Sequence, residues 1–390
     1  MEIVFSIVLW GVVALFVYHY AGYYILIKWI TRKKSANTHK YLQSDELPTV
    51  AVVFAAYNEE KILAQKIEST FNTTYPVEKL QVWIGSDNST DKTHEIIQEY
   101  QKKYPNLYLQ IFEQRTGKPQ IINQLVEKID ADILLLTDAN IIFTSEHIFN
   151  LVSHFKNESI GLVGGNIIND KVLEKGISEQ ETAYINIENK IKYYEGLLGC
   201  MIGAFGASYA LRKTLYKPTP QGFISDDFYI TMQVLLQGKK AIFEPDAVGY
   251  ETFSTKITEE FRRKTRYAVG NYQNLFHFEQ FWKKPFSKVF FCYFSHKVLR
   301  WLLPLFLLLA IPCLVLLSFK SMFYLVLSGL VLLGVLLVFL DIFVFKNYTG
   351  FKPLRFLSHF LAMNVALLVG FFKFVFTKPK SVWKPTERVP

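Results

Sequence analysis

The sequence predicts an α/β domain built on parallel strands, flanked by helices that span a membrane. Short apolar runs alternate with helical patterns between Leu47 and Gly164. Alternating units of this length are typical of parallel strands joined by right-handed crossovers. Four long apolar stretches lie outside this region, one before it and three after it. Each is longer than the ~20 residues that a helix needs to span a bilayer.

The chain is large enough for more than one structural unit. It has 390 residues, whereas single hydrophobic cores stop growing near ~250–300 residues. Its composition is 51% hydrophobic and 16% aromatic, and the excess is concentrated in the apolar stretches. These stretches, at residues 3–30, 298–319, 322–345 and 356–376, are predicted to be transmembrane helices.

The first apolar stretch is predicted to be a permanent helix. It is too long for a signal peptide, nothing basic precedes it, and no small-residue cleavage pattern closes it. The basic residues between Lys28 and Lys34 place its end on the cytosolic side. We therefore expect a multi-pass protein of the cell membrane whose polar middle faces the cytosol.

The charge of the C-terminal tail conflicts with this topology. Three further crossings would place residues 378–390 outside the cell, yet this tail carries Lys378, Lys380, Lys384 and Arg388. Basic segments normally stay inside. Either one apolar segment does not cross the membrane, or the charge rule fails here.

The net charge of +9 does not indicate a nucleic-acid partner. Many of the cations lie at helix ends and between Phe261 and Lys297, so anionic membrane lipid is the expected partner. The three cysteines, Cys200, Cys292 and Cys313, have no metal-ligand spacing. They do not imply a disulfide framework.

The first part of the polar middle is predicted to be a nucleotide-binding type of sheet. The predicted strands are 47–55, 80–84, 107–112, 133–136 and 161–164, and the predicted helices are 61–71, 92–103, 118–129 and 145–156. No Walker-type or GxGxxG glycine loop occurs in this sequence.

Carboxylates take the place of a glycine loop. Glu59, Asp87, Asp91 and Asp138 each follow a predicted strand, so they should gather along one edge of the sheet. Crowded carboxylates repel one another unless a cation or a donor-rich ligand joins them. A metal ion together with the ribose and base of a nucleotide would satisfy both needs. Helix capping is the alternative for any one of them, and Asp91 fits it well.

The pair Asp138 and Asn140 ends a buried strand. Two oxygen-bearing side chains at i and i+2 on a tight bend can face one hard cation. Turn chemistry alone is the alternative, because these residue types favour turns.

Four segments resemble the ordered opening motifs of the family 2 glycosyltransferases. They are residues 52–60, 85–93, 117–118 with Asn123, and 137–140. Members of this family are inverting enzymes of the GT-A fold that use nucleotide sugars with a divalent metal, Mg²⁺ or Mn²⁺. The resemblance covers residues 48–274 and the flanking membrane helices.

The resemblance implies roles for individual residues. Glu59 and Asp87 would hold the uracil and ribose of a UDP-linked donor, and Lys118 would lie near the nucleotide. Asp138 is the position that meets the metal and diphosphate. Asn140 stands where the family often has a second Asp, so it supplies an oxygen ligand without charge.

The second part of the middle supplies the acceptor side. A helix is expected at 178–197, followed by a small-residue loop at 199–208 that contains Phe205, an expected acceptor contact. Asp226 and Asp227 then open a helix, where the dipole favours anions. The family has Glu-Asp at this place with the Asp as general base, so the resemblance implies that Asp227 is the base and that Asp226 borders the acceptor.

Residues 259–267 form a helical segment with a basic face. A solvated or lipid-facing charge run is one reading. Its placement also resembles the QxxRW motif of the membrane polysaccharide synthases, which borders the acceptor and diphosphate. Arg266 matches that motif, whereas Arg263 replaces its Gln and Tyr267 its Trp, which weakens any inference of processive synthesis.

Residues 281–297 mix Trp, Phe and Lys as an interfacial amphipathic helix does. The expected organisation is a first membrane helix with its basic flank (1–34), a catalytic GT-A domain (47–280), the interfacial helix (281–297), three membrane helices (298–377) and a basic tail (378–390).

The expected function is that of a metal-dependent, inverting hexosyltransferase in cell-surface or exopolysaccharide synthesis. It would move a sugar from a nucleotide sugar to a hydroxyl of a glycan acceptor, and an accessory export subunit could also take part. One alternative is transfer of a single sugar to a lipid, either a polyprenyl phosphate or a diacylglycerol. A non-catalytic nucleotide-sugar sensor or transporter subunit is the alternative from another class.

Overall fold

An eight-stranded mixed sheet lies at the centre of the α/β domain. A computed structural model describes residues 1–169, 178–252, 257–344 and 351–377. The strands are β1 (Val50–Ala56), β2 (Leu80–Asp87), β3 (Leu107–Phe112), β4 (Ile133–Thr137), β5 (Ile142–Phe143), β6 (Ile160–Asn169), β7 (Ser208–Arg212) and β8 (Lys240–Glu251). Their order in the sheet is β3-β2-β1-β4-β7-β6-β8-β5.

The five strands predicted from the apolar runs all point the same way. β1 pairs in parallel with β2 and β4, and β2 pairs in parallel with β3. β6 has the same direction as β4, because β7 lies between them and pairs antiparallel with both. The parallel arrangement is therefore confirmed, and the structure adds β7 as an antiparallel strand that was not predicted.

The helices of the α/β domain follow the predicted pattern. They are α2 (Leu63–Phe71), α3 (Thr93–Lys103), α4 (Lys118–Lys128), α5 (His147–Ser153), α6 (Ser178–Leu197), α7 (Asp226–Leu236) and α8 (Ile257–His277). Short 3₁₀ turns occur at Val77–Lys79, His154–Lys156, Lys213–Leu215 and Glu279–Lys283. The helix predicted at 145–156 is thus α5 followed by a 3₁₀ turn.

β2 is longer than its apolar run. The prediction ended it at Ile84, but the ladder to β3 continues to Asp87, which pairs with Phe112. The last three residues of β2 are buried although two of them are polar. Hydrogen bonding to a neighbouring strand, which hydropathy does not report, sets this boundary.

Four helices are long and apolar enough to cross a membrane, and we call them the membrane-length helices. They are α1 (Glu2–Thr31), α9 (Lys288–Ser318), α10 (Met322–Val344) and α11 (Lys352–Phe376). The segment predicted as a separate interfacial helix differs from this, because its residues from Lys288 onward continue directly into α9. The predicted basic tail, 378–390, lies outside the described residues.

The core lies on both faces of the sheet. In β1 all seven residues are buried, as expected for a strand covered on both sides. On one face, Val50 and Val52 pack with α2 and α3. On the other face, the core around α4 continues to Tyr23 of α1 and Trp301 of α9. This side of the sheet therefore shares its core with the membrane-length helices.

Candidate active site

A cavity of about 370 Å³ opens at the carboxyl ends of β1 and β4. Its wall includes side chains of α6, α7 and α8, and of the membrane-length helices α9 and α11. Ten predicted site residues line it: Glu59, Lys118, Asp138, Asn140, Phe205, Asp226, Asp227, Arg263, Arg266 and Tyr267. The sheet edge and the membrane-length helices thus share one site.

Lys118 and Asp138 form an ion pair in the wall of the cavity. The Lys118 Nζ atom lies 2.5 Å from Asp138 Oδ1 and 3.3 Å from the Gly206 carbonyl oxygen. Gly117, just before α4, has a φ of +89°, which favours glycine and turns the chain into the helix. Burial alone would lower the pKa of Lys118, but the charges of Asp138 and Asp226 outweigh it and raise that pKa. Lys118 therefore stays an ammonium.

Asp87 does not line the cavity. Its carboxylate is fully buried and accepts hydrogen bonds from Arg115 Nε at 3.1 Å and from the amides of Thr116 at 2.6 Å and Gly117 at 3.2 Å. These bonds hold the loop that leads to Lys118. A role of Asp87 in binding the base and ribose stays a prediction.

Glu59 and Asp91 lie close together after neighbouring strands, but they differ in their setting. Glu59 lines the cavity, and its amide donates to Thr93 Oγ1 at 3.0 Å. Asp91 accepts from the amides of Thr93 at 3.0 Å and Glu60 at 3.1 Å. Asp91 therefore holds the turn before α3 and ties it to the loop after β1, while the N-cap residue of α3 is Lys92.

The residues after β4 offer oxygen ligands to a cation. Asp138 is 37% exposed in its side chain. The Asn140 amide donates through Nδ2 to Glu251 Oε1 at 3.1 Å, which leaves its carbonyl oxygen on the other side of the group. Glu251, which the sequence did not single out, lines the same cavity. Carboxylate and amide oxygens are the ligands that Mg²⁺ and similar hard cations prefer.

The protein side chains do not complete a metal site by themselves. Among the described residues, no group of three or more His, Cys, Asp or Glu side chains is arranged to hold an ion. The donor set after β4 fits a cation that also takes ligands from a bound phosphate, as Mg²⁺ commonly does.

Asp226 and Asp227 open α7 and line the same cavity. Asp227 Oδ1 accepts the amide hydrogen of Phe228 at 2.8 Å. Burial raises the pKa of Asp227 to about 6, and the charge of Asp226 beside it acts in the same direction. A carboxylate with such a pKa can accept a proton near neutral pH.

The small-residue loop approaches Asp227 closely. A Cβ atom at Gly206 would lie only 3.0 Å from Asp227 Oδ2. The glycine therefore makes room for the carboxylate. The sequence predicted a close backbone approach in this loop, and the structure identifies Asp227 as a group that it approaches.

The arginines of α8 that line the cavity differ in their ion pairing. Arg263 pairs with Glu260 at 2.9 Å. Arg266 lies with its guanidinium carbon 5.3 Å from the ring centroid of Tyr267 and, within the described ranges, has no ion pair. Arg266 is therefore available to an anionic group of a ligand.

Sequence reasoning missed two buried lysines near the site. Lys66 on α2 lies 3.4 Å from the ring centroid of Phe143 and donates to Thr137 Oγ1 at 3.3 Å, behind the Asp138 turn. Lys192 on α6 lies 3.1 Å from the ring centroid of Phe205 and lines the cavity. For Lys66 a signal exists, since it adjoins Leu63 and Ile67 on the buried side of α2.

Comparison with known proteins gives matches of sequence and of fold. The family model described as "Glycosyl transferase family 2" matches residues 51–215. The probable glycosyltransferase YdaM of Bacillus subtilis is 26% identical over 259 residues, 63% of this chain and 61% of the relative. The beta-monoglucosyldiacylglycerol synthase of Nostoc is 28% identical over 234 residues, 58% of this chain and 50% of the relative. The chain therefore spans less than two thirds of the length of these relatives.

Two further matches are longer. The poly-beta-1,6-N-acetyl-D-glucosamine synthase of Staphylococcus epidermidis is 24% identical over 289 residues, 72% of this chain and 68% of the relative. A mannosyltransferase from Pyrobaculum calidifontis, solved in complex with GDP-Man and Mn²⁺, superimposes with a TM-score of 0.70 at 19% identity. It covers 94% of this chain and 98% of its own. The predicted GT-A fold is confirmed, and residues 51–215 of the chain match the model of glycosyl transferase family 2.

Proposed function

We propose that this protein is a membrane-bound, inverting glycosyltransferase that moves a sugar from a nucleotide sugar to an acceptor hydroxyl at the membrane. The resemblance of its opening motifs implies that the nucleotide sugar is UDP-linked. One observation carries the proposal. A single cavity brings the donor-side pair Lys118 and Asp138 together with the carboxylate Asp227 and with side chains of the membrane-length helices. The proposed donor-binding residues, the proposed base and side chains of the membrane-length helices therefore line one cavity.

The chemistry is a direct displacement at the anomeric carbon. The acceptor oxygen forms a bond to this carbon while the bond to the diphosphate breaks with its electron pair. Asp227 takes the proton of the acceptor hydroxyl. Lys118 and Arg266 neutralise charge that develops on the leaving diphosphate. The configuration at the anomeric carbon inverts, and no nucleophile of the protein is needed.

A divalent cation, Mg²⁺ or Mn²⁺, would be held by Asp138 and Asn140, with Glu251 beside them. It would supply further positive charge to the leaving diphosphate. The mannosyltransferase of the same fold was solved with GDP-Man and Mn²⁺, which is consistent with this assignment. In the protein alone, Lys118 neutralises Asp138.

The acceptor is proposed to be a growing glycan, as the poly-beta-1,6-N-acetyl-D-glucosamine synthases suggest. A lipid acceptor is the second candidate, suggested by the beta-monoglucosyldiacylglycerol synthases. One observation favours the lipid: Trp301 of α9 and Leu367 of α11 line the cavity. An acceptor that lies in the membrane would meet these side chains on its way to Asp227.

The test is a screen of the purified protein against a panel of nucleotide sugars, with Mg²⁺, with Mn²⁺ and with a chelator. Released nucleoside diphosphate reports the reaction, and Asp138→Asn is the matched inactive variant. Chelation should abolish release, and Asp138→Asn should abolish it even at high metal concentration. Full activity after thorough chelation would contradict the metal assignment, and no release from any donor would favour a sensor over an enzyme.

Product analysis separates the two acceptor classes. Membranes incubated with the labelled active donor should yield either a polymer or a lipid that carries a single sugar. Extraction into organic solvent followed by size separation distinguishes these products. The glycan proposal fails if all the label is found in a single-sugar lipid.

A further inference from the structure

Three of the membrane-length helices share an apolar layer. The cluster between α1 and α9 consists of Leu9, Val12, Ala310, Cys313 and Leu317. Tyr324 of α10 joins this layer through a hydrogen bond to Ser6 of α1 at 3.2 Å. The part of each helix within this layer is about 18 residues, or about 27 Å at 1.5 Å per residue. This is close to the ~30 Å hydrocarbon thickness of a bilayer.

Polar side chains mark the end of this layer on the side of the α/β domain. His19 of α1 is buried and bonds the Ser295 carbonyl oxygen of α9 at 3.0 Å. Arg300 of α9 bonds the hydroxyl of Tyr184 at 2.5 Å. Asp341 lies near the end of α10 and is fully buried. We call this level the polar boundary.

The fourth membrane-length helix, α11, packs mainly along α8, with smaller contacts to α9 and α10. A Cβ atom at Gly370 would lie 2.3 Å from the Cβ of Ala268. The rings of Tyr272 and Phe371 are 5.1 Å apart, and further along both helices those of Phe276 and Phe374 are 5.5 Å apart. The two helices are therefore in contact over several turns.

α8 cannot enter hydrocarbon, because its first half is strongly charged. Residues 259–266 contain six ionised side chains, and charges at the bilayer centre are costly. A helix that lies against α8 over several turns must then share its depth.

The first half of α11 also meets polar groups. His359 Nε2 lies 3.0 Å from Glu181 Oε1, and Lys352 Nζ lies 3.0 Å from Glu179 Oε1. It contacts α1 near the polar boundary, where the hydroxyl of Tyr20 donates to Asn364 Oδ1 at 3.4 Å and the ring of Phe360 lies 5.7 Å from that of Phe16. Both halves of α11 thus lie at the level of the α/β domain.

We infer that α11 lies along the membrane surface and does not cross the bilayer. Its partner is the boundary between lipid headgroups and acyl chains, which takes up one apolar face of a helix. The exposed apolar side chains are Phe356, Leu357, Val365, Phe372, Val375 and Phe376. With three crossings instead of four, the basic tail stays on the side of the catalytic domain, and the conflict between topology and charge disappears.

Cysteine accessibility in the full-length protein tests this inference. Thr377→Cys marks the end of α11, Lys102→Cys marks the α/β domain, and Ser321→Cys marks the turn between α9 and α10. All three positions are exposed, whereas the native cysteines are buried. Intact cells are treated with an impermeant thiol reagent and compared with permeabilised cells.

The cysteine at 377 should behave like that at 102 and unlike that at 321. Protection of 377 and 102 in intact cells, with labelling of 321, is the expected result. If 377 reacts together with 321, α11 crosses the membrane and the inference is wrong. The comparison is internal, so it holds whichever side the catalytic domain faces. The orientation within the proposed function fails separately, if 102 reacts in intact cells.

A second observation concerns Lys192 and the acceptor side of the cavity. Its side chain is buried, with 2% exposure. An ammonium can donate three hydrogen bonds, yet none of the described residues accepts one from Lys192; its ring contact is with Phe205. Burial lowers the pKa of Lys192 to about 7, although Glu188 acts against this.

The carboxylates next to Lys192 on α6 are engaged by other partners. Glu188 pairs with Lys297 and lies 3.1 Å from His296 Nε2. Glu195 accepts from the hydroxyl of Tyr23 at 2.7 Å. The N–H groups of Lys192 therefore remain available for hydrogen bonds to a ligand in the cavity that Asp227 also lines.

The geometry points to Lys192 as an acceptor-binding residue, an inference that rests on the proposed function. Its ammonium would donate to an oxygen of the acceptor beside the hydroxyl that Asp227 deprotonates. This contact would turn the attacking hydroxyl toward the anomeric carbon. Acceptors with a second oxygen near the attacking hydroxyl are the chemical class that it fits.

The test compares Lys192→Met with Lys190→Met, an exposed lysine on the same helix outside the cavity. The probes are UDP for the donor site, and dioleoylglycerol vesicles or a β-1,6-linked N-acetylglucosamine oligomer for the acceptor site. Slow hydrolysis of the donor by water measures chemistry without an acceptor. Lys192→Arg should retain part of the acceptor affinity, because the guanidinium keeps hydrogen-bond donors at this position.

Lys192→Met should raise the KM of the active acceptor by about 10- to 100-fold, the range expected for a lost charged hydrogen bond. UDP affinity and donor hydrolysis should stay within about twofold of the wild type. An unchanged acceptor KM, or a loss of UDP affinity, would overturn the inference. If the wild-type protein neither hydrolyses a donor nor transfers sugar, the proposed function fails, and this assignment fails with it.

Discussion

The ammonium of Lys118 lies 2.5 Å from the carboxylate of Asp138. Asp138 is also the residue expected to meet the metal and the diphosphate. The lysine and the proposed cation would therefore compete for one carboxylate until a nucleotide sugar binds. Once the diphosphate is bound, the lysine can turn to its oxygens and leave Asp138 to the cation.

This competition predicts opposite effects of Lys118→Met on the two ligands. Without the ammonium, Asp138 is unpaired, so Mn²⁺ should bind the nucleotide-free protein about tenfold more tightly. UDP should bind about tenfold more weakly, because one cation that contacts its phosphates is gone. Titration calorimetry with Mn²⁺ and with UDP measures both. Equal Mn²⁺ affinity in the variant and the wild type would mean that the pair does not control metal access.

Asn140→Asp should strengthen metal binding and weaken the metal-free protein. The substitution places a second carboxylate against Glu251, whose Oε1 now accepts from Asn140 Nδ2 at 3.1 Å. The two charges repel until a cation joins them. The expected result is a lower melting temperature in chelator and a larger rise on adding Mn²⁺ than in the wild type.

The double variant Asn140→Asp, Glu251→Gln is the control, because it restores one donor and one acceptor to the pair. It should recover most of the melting temperature in chelator. The interpretation is wrong if Asn140→Asp alone leaves the metal-free protein as stable as the wild type.

Asp227→Asn should lower kcat by about 10²- to 10⁴-fold, the range that a positioned general base contributes. UDP affinity should change little, because Lys118 and Asp138 lie on the donor side. Asp226→Asn should cost less if Asp226 only borders the acceptor. Transfer rates at saturating donor and UDP titrations on both variants give the answer. Loss of UDP affinity in step with the rate would place Asp227 in the donor site.

The raised pKa of Asp227 predicts two opposite trends with pH. The base must be ionised, so the transfer rate should fall as pH drops through about 6. The free energy of unfolding changes in the opposite direction. The pKa of Asp227 is higher in the folded state than its ordinary value near 4, so protonated Asp227 stabilises the fold. This stabilisation is lost as pH rises through about 6. Asp227→Asn should therefore melt at a higher temperature than the wild type at pH 8. Melting curves at pH 5 and pH 8 measure this, and an equal or lower melting temperature of the variant at pH 8 would contradict it.

Much of the fold followed from local patterns in the sequence. The apolar runs at residues 107–112 and 133–136 became β3 and β4 with little change. All five residues of β4 are buried, as expected for a strand covered on both faces, whereas β3 lies at the edge of the sheet and is partly exposed. The helix predicted at 178–197 has those bounds. The order of the motifs also indicated the family, and the pair Asp226 and Asp227 opens a helix as its residue types favour.

Partners distant in sequence were decided only by the tertiary structure. Asp87 and Asp138 both follow strands, yet the amides of Thr116 and Gly117 enclose the first, whereas the second faces the cavity. Nothing in the residues near Asn140 predicts its contact with Glu251, 111 positions later.

The position of α11 was likewise decided by tertiary contacts and not by its local sequence. By length and composition, α10 and α11 both qualify as spans, yet α11 packs along the charged helix α8. Hydropathy is a property of a short window of sequence and is therefore readable from the chain. Depth in a membrane and the pairing of charges depend on which distant groups the packed chain brings within a few ångströms, and only the folded structure determines that.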